Sequence, residues 1–126
     1  MKKFNLLLTV MLLVAFCAGA QAANVLYDDT HGQTAGNADW VPEGAYSEMV
    51  DMLKANGFKV ESLSKVTKGR VFTAELLKGY EAVILAEPNN PYSKAECDLI
   101  VDFVKNGGGL FIVGDHGNAD RDGDGW

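Results

Sequence analysis

Ala82 to Ala86 is an unbroken apolar run of strand length, closed by Glu87-Pro88-Asn89-Asn90. A run this short, bounded by turn residues on its far side, has the pattern of a strand buried on both faces. Three other segments read as strands. Asn24 to Tyr27 ends at Asp28-Asp29, Phe58 to Leu63 alternates, and Leu110 to Val113 runs into Gly114-Asp115-His116-Gly117. Between them lie segments with helical spacing. Tyr46, Met49, Val50 and Leu53 recur on one helical face, with Pro42-Glu43 as a start and Asn56-Gly57 as a stop. Thr73 is placed to cap a short turn over Ala74 to Leu77. Ser93 and Glu96 form a capping box, and Leu99, Ile100, Phe103 and Val104 are expected to give the buried face of the helix that follows. Gly107-Gly108-Gly109 ends it.

Strand, helix, strand, short helix, strand, helix, strand implies a parallel sheet with right-handed crossovers and helices on both faces. The expected fold class is α/β: a flavodoxin-like, three-layer, doubly wound parallel sheet in the order 2-1-3-4. It is expected to be incomplete at the C-terminus, because the sequence stops at Trp126 directly after a loop rich in glycine and aspartate.

The chain begins with an address. Lys2 and Lys3 precede an apolar run from Leu6 to Phe16, and Ala20-Gln21-Ala22 supplies the small residues of a cleavage site. The run falls short of the roughly 20 apolar residues that span a bilayer. Cys17 follows Phe16, where a lipoprotein signal would carry a small residue. Residues 1–22 are therefore expected to be a signal peptide and 23–126 one α/β domain, exported to a periplasmic or extracellular compartment. Cleavage would leave nine Lys+Arg against seventeen Asp+Glu, a net charge of −8. That acidity argues against nucleic acid and anionic membrane surfaces as partners and favours cations or neutral ligands. Cys97 would be the one remaining cysteine, read as a partly buried structural thiol with no disulfide partner. The sequence carries no nucleotide fingerprint, so no nucleotide cofactor is expected.

Ligands of open parallel sheets bind beyond the carboxyl ends of the strands. The candidate ligand-binding residues collect there: Asp28, Asp29, His31 and Gln33 after the first strand, Glu87 and Asn89 after the third, Asp115 and His116 after the fourth. Both histidines of the chain lie in these clusters. Carboxylates with imidazoles suit a divalent metal or acid–base work, whereas turn capping by Asp28 and Asp115, with the histidines bonded to backbone, is the structural alternative. Asp120, Asp122 and Asp124, followed by Gly125, match the opening of a calcium loop, and the bidentate acid of that motif would fall beyond Trp126. A solvated acidic loop is the alternative there.

Three stretches, Val25 to Gln33, Leu76 to Glu87 and Phe103 to His116, resemble the class I glutamine amidotransferase-like superfamily, in particular its poorly characterised exported members. The resemblance spans nearly all of the mature chain and implies the flavodoxin-like fold. Active members place a nucleophilic cysteine at the elbow that corresponds to Gly114-Asp115-His116, where this sequence has none. The expectation is thus a domain without amidotransferase activity that binds a small or carbohydrate-like ligand, or a divalent cation such as calcium. The alternatives are a metal-dependent hydrolase built on His31, His116 and the aspartates, and an interaction module stiffened by calcium.

Overall fold

A computed structural model of the chain describes residues 22–69 and 71–114. The expected signal peptide, up to residue 21, lies outside the described residues. Four strands, β1 (Asn24–Asp28), β2 (Lys59–Ser62), β3 (Ala82–Ala86) and β4 (Gly109–Val113), form one parallel sheet in the order β2-β1-β3-β4. The register pairs Val25 with Val60 on one side and with Ala82 on the other, and Ile84 with Phe111. This is the expected α/β, flavodoxin-like arrangement.

Side chains of a strand alternate between faces, and here the alternation divides the core in two. Leu26, Val83 and Leu85 point to one face, where they meet α2 (Leu63–Val66), α3 (Ala74–Leu77) and α4 (Lys94–Lys105) through Leu63, Leu77 and Ile100. Val25, Tyr27, Ile84 and Ala86 point to the other, against Val50, Met49 and Leu53 of α1 (Ser47–Ala55). Right-handed crossovers account for the division. Leftward from β1 to β2 the chain passes over one face, and rightward to β3 and β4 it passes over the opposite one.

Local sequence sets the helix boundaries. Thr73 Oγ1 accepts the Leu76 amide at 3.1 Å, and the Ser93–Glu96 capping box is closed in both directions. The first helix starts later than expected: Pro42 to Tyr46 forms turns, with Gly44 N donating to Val41 O, and α1 opens at Ser47. The second strand is shorter than its alternation suggested, because Leu63 leaves the sheet to open α2 as a fully buried residue. Two expectations for α4 are corrected. Ile100 is buried and Leu99 and Phe103 pack beside it, but Val104 is 41% exposed. Cys97 is exposed, not partly buried. Both residues lie on the flank of the helix, which Ile100 centres on the core, so only the middle of the apolar stripe is covered. The edge strand β4 is likewise open, with Leu110, Phe111 and Ile112 exposed.

The contrast between central and edge strands predicts a contrast in stability. Leu26→Ala, at a fully buried position, should cost about 2–5 kcal/mol. Leu110→Ala on β4 should cost less than about 1 kcal/mol, since its side chain already meets solvent. Urea titrations of the two variants check the difference.

Candidate functional site

At the carboxyl end of β1 the chain turns from Asp28 into the loop that contains Thr30, His31 and Gln33. Asp28 is completely buried, yet its carboxylate accepts five donors. Thr30 N and Thr30 Oγ1 reach Oδ1 at 3.0 and 2.9 Å. His31 Nδ1 and Gln33 Nε2 reach Oδ2 at 2.8 and 3.3 Å, and the Tyr92 hydroxyl donates to the same oxygen. A carboxylate offers about four lone-pair sites, so its accepting capacity is filled.

His31 is also enclosed. Its ring centroid lies 4.0 Å from that of Tyr92 and 6.2 Å from Phe72, and its Nε2 faces Glu96 Oε1 at 3.2 Å. Burial alone would lower the pKa of His31, but the hydrogen bond and charge of Asp28, together with the Glu96 carboxylate, outweigh it and raise the value above the ordinary 6.5. For Asp28, burial would raise the pKa; the His31 bond and charge, the Tyr92 hydroxyl and the Thr30 amide overcome this and lower it below the ordinary 3.8. Burial, with Asp28 adding to it, holds the Tyr92 phenol far above its usual range, so it remains a donor.

The neighbouring loop after β3 is bound to the same turn. Asn89 N and Asn90 N donate to the His31 carbonyl at 2.9 and 3.0 Å, and Asn89 Nδ2 donates to Gly32 O at 2.8 Å. Gly32 permits the approach. Its φ is +79°, and a Cβ there would stand 2.9 Å from Asn90 Nδ2 and 3.0 Å from Asn89 Cβ. Glu87, immediately after β3, holds φ at +42°, an uncommon conformation for a residue with a side chain. Tyr46 donates its hydroxyl to Glu87 Oε1 at 2.6 Å, and the Trp40 ring meets Tyr46 edge-on with centroids 6.2 Å apart.

Of the residues marked by sequence, Asp28, His31 and Gln33 are thus brought into one buried cluster, and Asn89 is tied to its backbone. Glu87 stands apart, on the Tyr46 and Trp40 side. Asp29 turns away: its carboxylate accepts Ser64 N at 2.8 Å and the Ser64 hydroxyl, at the start of α2. Asp115, His116, Asp120, Asp122 and Asp124 lie outside the described residues. Among the described residues no group of three His, Cys, Asp or Glu side chains is arranged to hold a metal ion. The reason at His31 is local, since each ring nitrogen faces a carboxylate at hydrogen-bond distance. Sequence reading passed over Tyr92, Trp40 and Thr30 and assigned Glu96 only to its cap. Thr30 carried a signal, for Asp-x-Thr after a strand is a side-chain turn.

A groove of about 620 Å³ lies elsewhere among the described residues. It opens between α3 and α4 near the amino end of the sheet, lined by Leu77, Tyr80, Leu99, Asp102 and Phe103. None of the described candidate ligand-binding residues lines it, so the chemistry, not the volume, locates the candidate site. Neither protein-family models, nor curated proteins, nor solved structures give a match to this chain.

Two predictions follow from the cluster. Asp28→Asn would turn an amide donor toward the donors that Oδ2 now accepts and should cost on the order of 3 kcal/mol. Asp29→Asn, which alters only a helix cap, should cost about 1 kcal/mol by the same denaturant titration. The second concerns pH. The lowered Asp28 pKa contributes stability present above 3.8 and lost as pH falls through its folded value; the raised His31 pKa contributes stability present below 6.5 and lost as pH rises through its folded value. The urea midpoint should therefore be highest between about pH 4 and 6.5 and decline on both sides. In His31→Phe the alkaline decline should vanish.

Proposed function

We propose that this chain is an exported domain that binds a small, carbohydrate-like ligand at the carboxyl edge of its sheet, on a glutamine amidotransferase-like scaffold without the nucleophile. The observation that carries the reading is Glu87. It sits at the end of β3, beside β1, where the strand order 2-1-3-4 reverses direction and open sheets keep their ligands. A left-handed backbone at a glutamate is a conformation that surrounding structure must enforce, and such conformations cluster at functional sites. The Tyr46 hydroxyl fixes its side chain, and the partly exposed Trp40 ring meets that of Tyr46 edge-on. A carboxylate next to aromatic faces supplies an acceptor for hydroxyls and a platform for the apolar face of a sugar ring. Asn89, two residues further on, ties this loop to the turn after β1 by donating its amide to Gly32 O. Export rests on the Lys2-to-Ala22 leader pattern.

The buried Asp28–His31 pair favours this reading over a metal-assisted hydrolase, because both ring nitrogens are already engaged by carboxylates. A divalent cation is the second reading for the chain, carried only by the Asp120-Asp122-Asp124 spacing.

A panel of mono- and oligosaccharides, scanned by thermal shift on the full chain, tests the proposal. Binding should raise the melting temperature without turnover of the sugar. Glu87→Gln and Tyr46→Phe should each weaken binding by roughly tenfold, the loss of one hydrogen bond to a charged group. No shift from any sugar, or an affinity in both variants unchanged from that of the parent chain, would overturn it. Calorimetry with calcium, compared between the parent chain and Asp122→Asn, tests the cation reading separately.

A further inference from the structure

His31 lies at the junction of three chain segments. Asp28 ends β1, Phe72 precedes α3, and Tyr92 with Glu96 belongs to the start of α4. The side chain is only 10% exposed, and its nitrogens face two carboxylates at 2.8 and 3.2 Å. A neutral imidazole carries one N–H and therefore satisfies one carboxylate. The second would face a ring lone pair across a gap with little access to water, a repulsive arrangement. Only the imidazolium satisfies both.

We infer that His31 is a proton-operated clamp between the β1–α1 loop and the amino end of α4, holding Asp28 and Glu96 together when protonated and releasing Glu96 when neutral. The release falls on Glu96 for a physical reason. Asp28 is fully buried and has no water to turn to, so it retains the remaining N–H. Glu96 is 15% exposed, and its other oxygen already accepts Ser93 N and the Ser93 hydroxyl. The movement has a path outward. The His31 carbonyl accepts the Asn89 and Asn90 amides, and Gly32 O accepts Asn89 Nδ2, so the loop after β3 rests on the residue that titrates.

The charged groups that face the ring are Asp28 from β1 and Glu96 from α4. Tyr92 is the titratable neighbour and stays protonated, and Phe72 packs beside both rings, its centroid 6.2 Å from that of His31 and 6.4 Å from that of Tyr92. Both carboxylates favour the charged ring, which places the release above pH 6.5. The clamp does not depend on the nature of the ligand. It would make any site built on Asn89 sensitive to pH in the neutral to alkaline range.

Nuclear magnetic resonance of the isotope-labelled full chain from pH 5 to 9 tests it, with His116→Gln distinguishing the two histidines. The His31 ring should titrate with a midpoint above 6.5, with both nitrogens protonated below it, and the Glu96, Asn89 and Asn90 amide shifts should follow the same curve. In Glu96→Gln the new amide donates to the neutral ring nitrogen. The midpoint should then fall, and the Asn89 and Asn90 amides should become flat over this range. Ser93→Ala, which weakens the cap but keeps Glu96, should retain the shared transition. A His31 midpoint at or below 6.5, a midpoint unmoved by Glu96→Gln, or amides that ignore the ring would each overturn the clamp. Failure of every sugar to bind would leave these outcomes unchanged.

Discussion

A carboxylate without solvent sits at the end of the central strand, and the arrangement around it follows from that fact. Burying an ionised acid costs several kcal/mol unless donors replace its water. Asp28 recovers them from Thr30, His31, Gln33 and Tyr92. The first three come from the turn that follows β1, so the turn is wound around the charge. The fourth arrives from 64 residues away and draws the start of α4 over the same end of the sheet. The tilted Tyr92 ring then packs against His31, and Phe72 lies beside both. One buried charge thereby fixes the relative placement of two loops and a helix. The rest of the carboxyl edge is built on that base.

The same saturation decides which groups are available for chemistry. A histidine with both nitrogens facing carboxylates is poorly placed to take a proton from a substrate or to enter a metal's coordination shell. Acid–base logic would select His31 first, because it is an imidazole whose pKa is displaced, upward from 6.5. The geometry points outward instead, to Glu87 with its left-handed backbone and to Tyr46, which bonds it and meets the Trp40 ring. Displaced pKa values arise in structural networks as readily as in active sites, and the number of donors already engaged tells the two apart.

Much of the fold was legible because its determinants are local. The apolar run Ala82 to Ala86 gave β3 residue for residue, and Ser93 with Glu96 located the start of α4. Strand order followed from alternation and handedness. The site was legible in position but not in closure. Asp28 and His31 could be marked because they follow a strand. Nothing in their neighbourhood announces Tyr92, which follows Pro91 and reads as one more apolar residue, or a second duty for Glu96. Asp29 failed to declare itself for a related reason, since the helix it caps begins at Leu63, 34 positions on, in a segment that alternates like a strand. Helical spacing also marked Val104 and placed Cys97 within the stripe without fixing how wide a stripe the sheet would cover.

The distribution of charge gives the carboxyl edge its character. The lysine ion pairs, Lys59–Glu61, Lys65–Glu43, Lys78–Glu75 and Lys94–Asp98, have well-exposed lysines and contribute little to a folded core. At the carboxyl edge, Asp28, Asp29, Glu87 and Glu96 are held by hydroxyls, amides and the His31 ring. Hydroxyls and amides fix a carboxylate in place but leave its negative potential uncancelled, and four carboxylates outnumber the one imidazolium, so these groups favour hydroxyl-bearing or cationic ligands over anions. Within that network His31 is the group whose charge changes near neutral pH. Loss of its proton leaves two carboxylates facing a neutral ring, and the edge becomes both more negative and less tightly joined.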